Sequence, residues 1–116
     1  MVFMSRRKAL WMGGAATLTT LFPLAAWAPA PLPAVMAFRA PGCGCCHLWA
    51  ERMTVAGFAV TMEDDEALEE RRARLGVPEE LAGCHIALIG DYVFEGHVPP
   101  ADIITFLASN PVALGL

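Results

Sequence analysis

From Ala34 to the C-terminus the sequence contains no lysine, and its permanent cations are five arginines, Arg39, Arg52, Arg71, Arg72 and Arg74. All twelve acidic residues fall in the same stretch, so its formal charge is −7. A phosphate-backbone binder needs a basic face, which excludes nucleic acid as a partner. An acidic surface suits a soluble exported domain and one that meets cations. Internal repeats and long charge blocks are also missing, which argues against repeat architectures and interaction tails.

The N-terminal third lacks acidic residues altogether and is laid out differently. Arg6-Arg7-Lys8 precedes an uncharged run that ends only at Arg39, with an apolar stretch from Ala9 to about Ala28 and then a Pro/Ala-rich segment. This is the layout of an export signal, and the arginine pair after Ser5 resembles the twin-arginine type, although Ala9 stands where such signals often carry Phe. Ala26-Trp27-Ala28 offers a small-x-small cleavage pattern, but Pro29 follows it directly. The expected division is residues 1–33 as signal and Pro/Ala-rich segment, and 34–116 as one domain. The expected location is periplasmic, with membrane attachment only if the signal is retained.

A domain of about 80 residues has a small core that staples or metals often supplement. Four cysteines outside the cytoplasm would ordinarily suggest two disulfides. Here Cys43, Cys45 and Cys46 are bunched and only Cys84 is distant. Stapling accounts for two of them and leaves two over.

Val35 to Ala40 lies in a short apolar stretch (34–40) that reads as a strand, followed by a Pro41-Gly42 turn and a helix from Cys45 to Gly57 with Leu48, Trp49, Arg52, Met53 and Ala56 on one face. Phe58 to Met62 alternates as a second strand. The run Glu63-Asp64-Asp65-Glu66 reads as the opening of a helix over about 66–75, since negative charge suits a helix N-terminus, and as a solvated face rather than a hard-metal site. Glu70 and Arg74 are spaced as an i,i+4 pair. Two strands over 85–96 flank Gly90-Asp91, and a last helix has Pro100 near its first turn and Pro111 beyond its end. The order β-α-β-α-β-β-α is an α/β, two-layer unit, and a cysteine motif between the first strand and first helix makes it thioredoxin-like.

Cys43 and Cys46 have C-x-x-C spacing at a helix N-terminus, where dipole and free amides favour thiolate. A third thiol at Cys45 would compete in exchange, and three thiolates repel unless something positive sits among them. Successive helical residues turn by about 100°, so Cys43 and Cys46 share a face while Cys45 points elsewhere. Cys43 and Cys45 are therefore expected in the entrance loop, where Gly42 and Gly44 permit unusual dihedrals. A three-plus-one split is unlike structural zinc sites, which draw two short-spaced pairs from two segments. Four thiolates leave −2 around one Zn²⁺ and −3 around one Cu⁺, but zero when they bridge four Cu⁺, the arrangement easiest to hold in a partly dry pocket. Soft thiolates also favour Cu(I).

The stretches Cys43-Gly44-Cys45-Cys46-x-x-Trp49, Gly76-Val77-Pro78, Cys84-His85 and Glu95-Gly96-His97-Val98-Pro99 together resemble the exported CopG-type copper-resistance proteins, long catalogued as a domain of unknown function. The resemblance spans about 35 to 110. It implies a thioredoxin-like fold and a multinuclear copper–thiolate site with Cys43, Cys45, Cys46 and Cys84 as ligands. It also implies a role in copper handling that involves Cu(I)/Cu(II) interconversion, and other periplasmic copper-handling proteins as partners beside copper ions. Family members usually continue past the Gly115-Leu116 pair with a Met- and Gly/Pro-containing tail, so any ligand role of that tail is left open here.

His85 and His97 match the family pattern and stand as auxiliary candidates, with a purely structural role as the alternative. Neighbours in a strand point to opposite faces, so Cys84 and His85 should share a metal only if the strand begins irregularly. His47 is expected to face solvent, and Met36, Met53 and Met62 to pack in the core. Trp49 sits one turn beyond Cys46, as a core aromatic or a shield over the thiols. No proline adjoins Gly83-Cys84-His85, where thioredoxin-like oxidoreductases usually place a cis-proline to grip substrate. The competing functions are a thiol–disulfide oxidoreductase working through Cys43 and Cys46, and a structural zinc domain. Turnover and sequestration of copper both remain open.

Overall fold

The computed structural model describes residues 28–116. The expected export signal, with its arginine pair and cleavage pattern, falls almost wholly on residues 1–27, outside the described residues. Among the described residues no helix is long and apolar enough to cross a membrane.

Five strand-forming residues, Val35–Arg39, make β1, and the chain turns through Pro41-Gly42 into α1, Gly44–Val55. β2 is Val60–Asp64, α2 is Leu68–Leu75, and a single 3-10 turn at Glu79–Leu81 leads to β3, His85–Ile89. β4, Tyr92–Glu95, and α3, Pro100–Ser109, complete the order expected from the sequence. The sheet runs β2-β1-β3-β4, with β1 parallel to β2 and antiparallel to β3, and β3 antiparallel to β4. This places the C-terminal end of β1 beside the start of β3, where Arg39 pairs with His85. The two cysteine segments meet there.

β1 and β3 are apolar at nearly every position, the pattern of strands covered on both faces. Val35, Ala37, Ala87, Ile89 and Phe94 face Trp49 and Met53 of α1 and Ile103 of α3 in the larger core. Phe38, Ile86 and Val93 point the other way and meet Leu68 of α2, with Met36, Leu75, Val77 and Leu88 at its margin. The α/β unit has the expected element order, with α1 and α3 on one face of the sheet and α2 on the other. The Arg71 guanidinium lies 3.5 Å from the centroid of the Phe38 ring, which closes the smaller cluster from solvent.

The second strand and second helix are displaced from their expected positions. Phe58 is buried, but its N–H bonds back to the Met53 carbonyl, so it finishes α1 rather than opening a strand. β2 then extends through Glu63 and Asp64, which pair with Phe38 and Arg39 of β1. Two acidic residues are tolerated there because β2 is an edge strand and Arg39 bonds Asp64 at 2.6 Å. Asp65 accepts from Ala67 N–H at 2.9 Å and from Arg71 at 2.5 Å, so it turns the chain into α2. The Glu70–Arg74 pair is present at 3.9 Å.

Candidate metal centre

Cys43 is the N-cap of α1, and Gly44, Cys45 and Cys46 form its first turn. The chain reaches this start through Gly42, whose φ of +79° favours glycine over any L side chain. Arg39, tied to Asp64, also donates from Nη1 to the Cys43 carbonyl at 3.1 Å and fixes the end of the entrance loop. Cys45 therefore lies in the helix, contrary to the expectation of a loop position. Helical geometry still separates it as foreseen: Cys46 is fully buried beneath the helix while Cys45 faces solvent. Cys43 and Cys46 are joined by a disulfide with a Cα–Cα distance of 5.5 Å, and Cys45 and Cys84 carry free thiols.

Cys84 arrives from across the fold. It precedes β3 in a bend, so the irregular start on which its sharing a site with His85 depended is what the chain adopts. Its carbonyl lies 3.6 Å from Cys46 Sγ, and Cys45 Sγ is 3.4 Å from Cys43 Sγ. The sulfurs of Cys43, Cys45, Cys46 and Cys84 all lie within 4.8 Å of one another. The tertiary structure thus gathers the four expected cysteines into one group. A second, overlapping group within the same 4.8 Å limit comprises Cys46, Cys84, His85 and His97. Cys84 Sγ is 3.6 Å from His85 Nδ1 and 3.3 Å from His97 Nε2.

Trp49 is buried, with its ring centroid 4.4 Å from that of His85. Its indole N–H donates to the Val98 carbonyl at 2.8 Å, which fastens α1 to the loop carrying His97. Of the two expected roles, Trp49 takes that of a core aromatic, and its ring packs on His85. His47 faces solvent, 3.2 Å from Glu51. Met53 is fully buried, and Met36 and Met62 pack against the two cores.

His85 is fully buried, and among the described residues its Nε2 has no hydrogen-bond partner. Burial, with smaller contributions from His97 and Arg72, pushes its pKa down to about 4, so the imidazole is neutral near neutral pH. Burial likewise raises the Cys84 thiol above its ordinary range, and the neighbouring Cys45 raises it further. A metal that binds Cys84 must displace this proton, so uptake releases acid.

Two residues that the sequence analysis left unassigned hold the Cys84 loop. Arg72 of α2 is 3 % exposed, and its Nε donates to Glu95 Oε1 at 2.9 Å. It also donates to Glu69 and, from Nη2, to the Gly83 carbonyl. Glu95 Oε2 in turn accepts from Gly83 N–H at 2.9 Å. Burial works against the charge on Arg72, but Glu95 and Glu69 more than offset it and raise its pKa. The backbone of Gly83 is thus bonded on both sides by one buried ion pair. Gly83 also packs on Gly96: a Cβ at Gly83 would stand 2.8 Å from Gly96 Cα and N. That contact brings Cys84 next to His97. Nothing in the sequence of α2 separates Arg72 from its exposed neighbours, but the acidic residue at the head of Glu95-Gly96-His97 was the available signal.

A small α/β domain with a buried-to-exposed cluster of thiol and imidazole donors at a helix entrance has the donor set of a site able to hold a soft metal ion. Comparison with known proteins narrows the class. Two solved structures, forms 1 and 2 of the copper resistance protein CopG, match with TM-scores of 0.68 and 0.67 and identities of 34% and 33%. Each match covers 72% of this chain, and 66% and 67% of the respective solved chains. The family described as a protein of unknown function, DUF411, matches residues 81–116. No curated protein matches. The chain belongs to the CopG-type copper resistance family.

Proposed function

We propose that this is an exported copper-binding protein whose reduced form holds Cu(I) through Cys43, Cys45, Cys46 and Cys84, with copper as its cargo. The observation that carries this reading is the convergence of four sulfurs within 4.8 Å in a chain of this family. Cys43 and Cys46 ligate only after a two-electron reductant, such as a dithiol, has opened their disulfide. The four thiolates, crowded at the α1 N-terminus, are then balanced by up to four Cu(I) ions in a bridged cluster. The buried His85, the adjacent His97 and the Trp49 roof support this cluster from the side of β3. Export through the N-terminal segment places the domain in the periplasm, where it serves copper resistance by sequestration or by Cu(I)/Cu(II) conversion, in exchange with other copper-handling proteins.

Anaerobic titration of the fully reduced domain with Cu(I), against a competing chelator, tests this. The expected result is up to four Cu(I) per chain, with capacity lost in Cys84→Ala. One zinc and no copper per reduced chain would refute it.

The Cys43–Cys46 disulfide at a helix N-terminus favours a second reading, a thiol–disulfide oxidoreductase. Cys45→Ser separates the two. A copper site loses Cu(I) capacity, whereas an oxidoreductase keeps or gains disulfide exchange.

A further inference from the structure

The sheet order leaves β2 and β4 at its two edges, where a strand carries unpaired N–H and C=O groups along its outer side. β4 is covered. Beyond α3 the chain turns back through Asn110, whose φ is +45°, and Pro111, whose carbonyl accepts from the Tyr92 hydroxyl at 2.7 Å. It then runs parallel to β4, with Gly115 opposite Val93. Val93 N–H donates to the Leu114 carbonyl at 2.9 Å, and Leu116 N–H to the Val93 carbonyl at 3.1 Å. Glu95 N–H donates to the Leu116 carbonyl at 2.8 Å.

Backbone approach, more than buried side chains, seats this segment. A Cβ on Gly115 would overlap the Val93 carbonyl oxygen, so any other residue there must lift the chain off β4. Leu114 and Leu116 remain 47 % and 50 % exposed, beside Val77, Pro78 and Leu81. Among the described residues, neither core includes any of 110–116. Loosening the segment should therefore act locally rather than melt the domain.

Its local partner is Glu95, the last residue of β4. The Glu95 carboxylate accepts from Gly83 N–H at 2.9 Å and holds Arg72, which donates to the Gly83 carbonyl. Cys84 follows directly. An unbroken run of bonds thus leads from the Leu116 carbonyl, through Glu95, to the backbone that carries the Cys84 sulfur.

We propose that residues 114–116 are a positioning element for Cys84: the Leu116 carbonyl and the bare Gly115 backbone fix Glu95, whose carboxylate fixes the Gly83 backbone. The segment touches neither the cysteines nor their cargo. This deepens the reading that Cys84 is a copper ligand and rests on it only for the consequence to copper.

The test uses the full chain with the Cys43–Cys46 disulfide closed, and two variants, Gly115→Val and deletion of 114–116. The deletion introduces no side chain and decides the matter if Gly115→Val does not fold. Amide hydrogen exchange and the alkylation rates of Cys84 and Cys45 are followed by mass spectrometry. Gly83 N–H, which the segment does not touch, should exchange at least about tenfold faster, the opening expected when a hydrogen bond to a charged group is lost. Cys84 should alkylate faster by a similar factor, while the exposed Cys45 and the amides of β1 and β3 keep their parental rates. Val112→Ala, which trims a fully exposed residue of the same return, should change none of these. Parental rates at Gly83 and Cys84 in the deletion variant would overturn the proposal. So would exchange in β1 and β3 that rises in step with Gly83, since the segment would then stabilise the whole domain and not this loop. Cu(I) capacity of the fully reduced, unsubstituted protein, measured in parallel, decides the four-thiolate reading on its own.

Discussion

Replacing Glu95 by Gln should damage the proposed copper site without touching any of its four cysteines. The Arg72 and Glu95 side chains are 4 % and 7 % exposed, so their ion pair is shielded from water and salt. Removing one charge from such a pair leaves the other buried and uncompensated, at a cost of about 3–5 kcal/mol. Glu69 softens the loss because it also accepts from Arg72, but it is 75 % exposed and its field is screened. The lower end, about 3 kcal/mol, is therefore expected in chemical denaturation of the metal-free domain. The double variant Arg72→Met with Glu95→Leu should recover much of that stability, since no buried charge remains. It should not recover copper capacity. Gly83 then loses the acceptor for its N–H and the donor to its carbonyl, and the Cys84 loop is no longer tied to α2 and β4. Stability and Cu(I) stoichiometry, measured on both variants, thus move apart. If Glu95→Gln unfolds within about 1 kcal/mol of the parent, or if the double variant binds Cu(I) as fully as the parent, the ion pair does not position Cys84.

In the metal-free domain His85 couples folding to pH. Its folded pKa of about 4 lies below the ordinary 6.5, so the unfolded chain binds the extra proton between those values. Its contribution is complete above about pH 7 and falls as pH drops through that window, by about 3 kcal/mol in total. Denaturation midpoints between pH 7.5 and 4 should show this decline, and a flat profile would contradict a neutral buried imidazole. Gly83→Ala should destabilise by about 1–3 kcal/mol, because its Cβ would press on the Gly96 backbone at 2.8 Å. The same change should weaken Cu(I) binding by the reduced form, since the Cys84 loop is forced away from Gly96; unaltered binding would show that the glycine contact does not position Cys84.

Element order was legible from residue chemistry alone. Continuous apolar runs at 35–38 and 86–89 mark strands buried on both faces, Gly42 and Pro41 mark a turn, and Pro100 and Pro111 bracket the last helix. The cysteine cluster at a helix entrance could be read from C-x-x-C spacing. These are local properties, set by neighbours along the chain. Strand register was not local. β2 includes Glu63 and Asp64 because they lie on an edge beside Arg39, which their own sequence pattern does not reveal. Arg72 looks like any arginine of a charged helix until the fold sets it against Glu95 and Gly83. Cys84 and His85 face one site only because Cys84 lies just before the strand, at a bend held by the Gly83–Gly96 approach. The chain's own chemistry determined which atoms are soft donors. Tertiary structure alone decided which of them meet, because distances between remote segments are set by packing and by the pairing of buried charges.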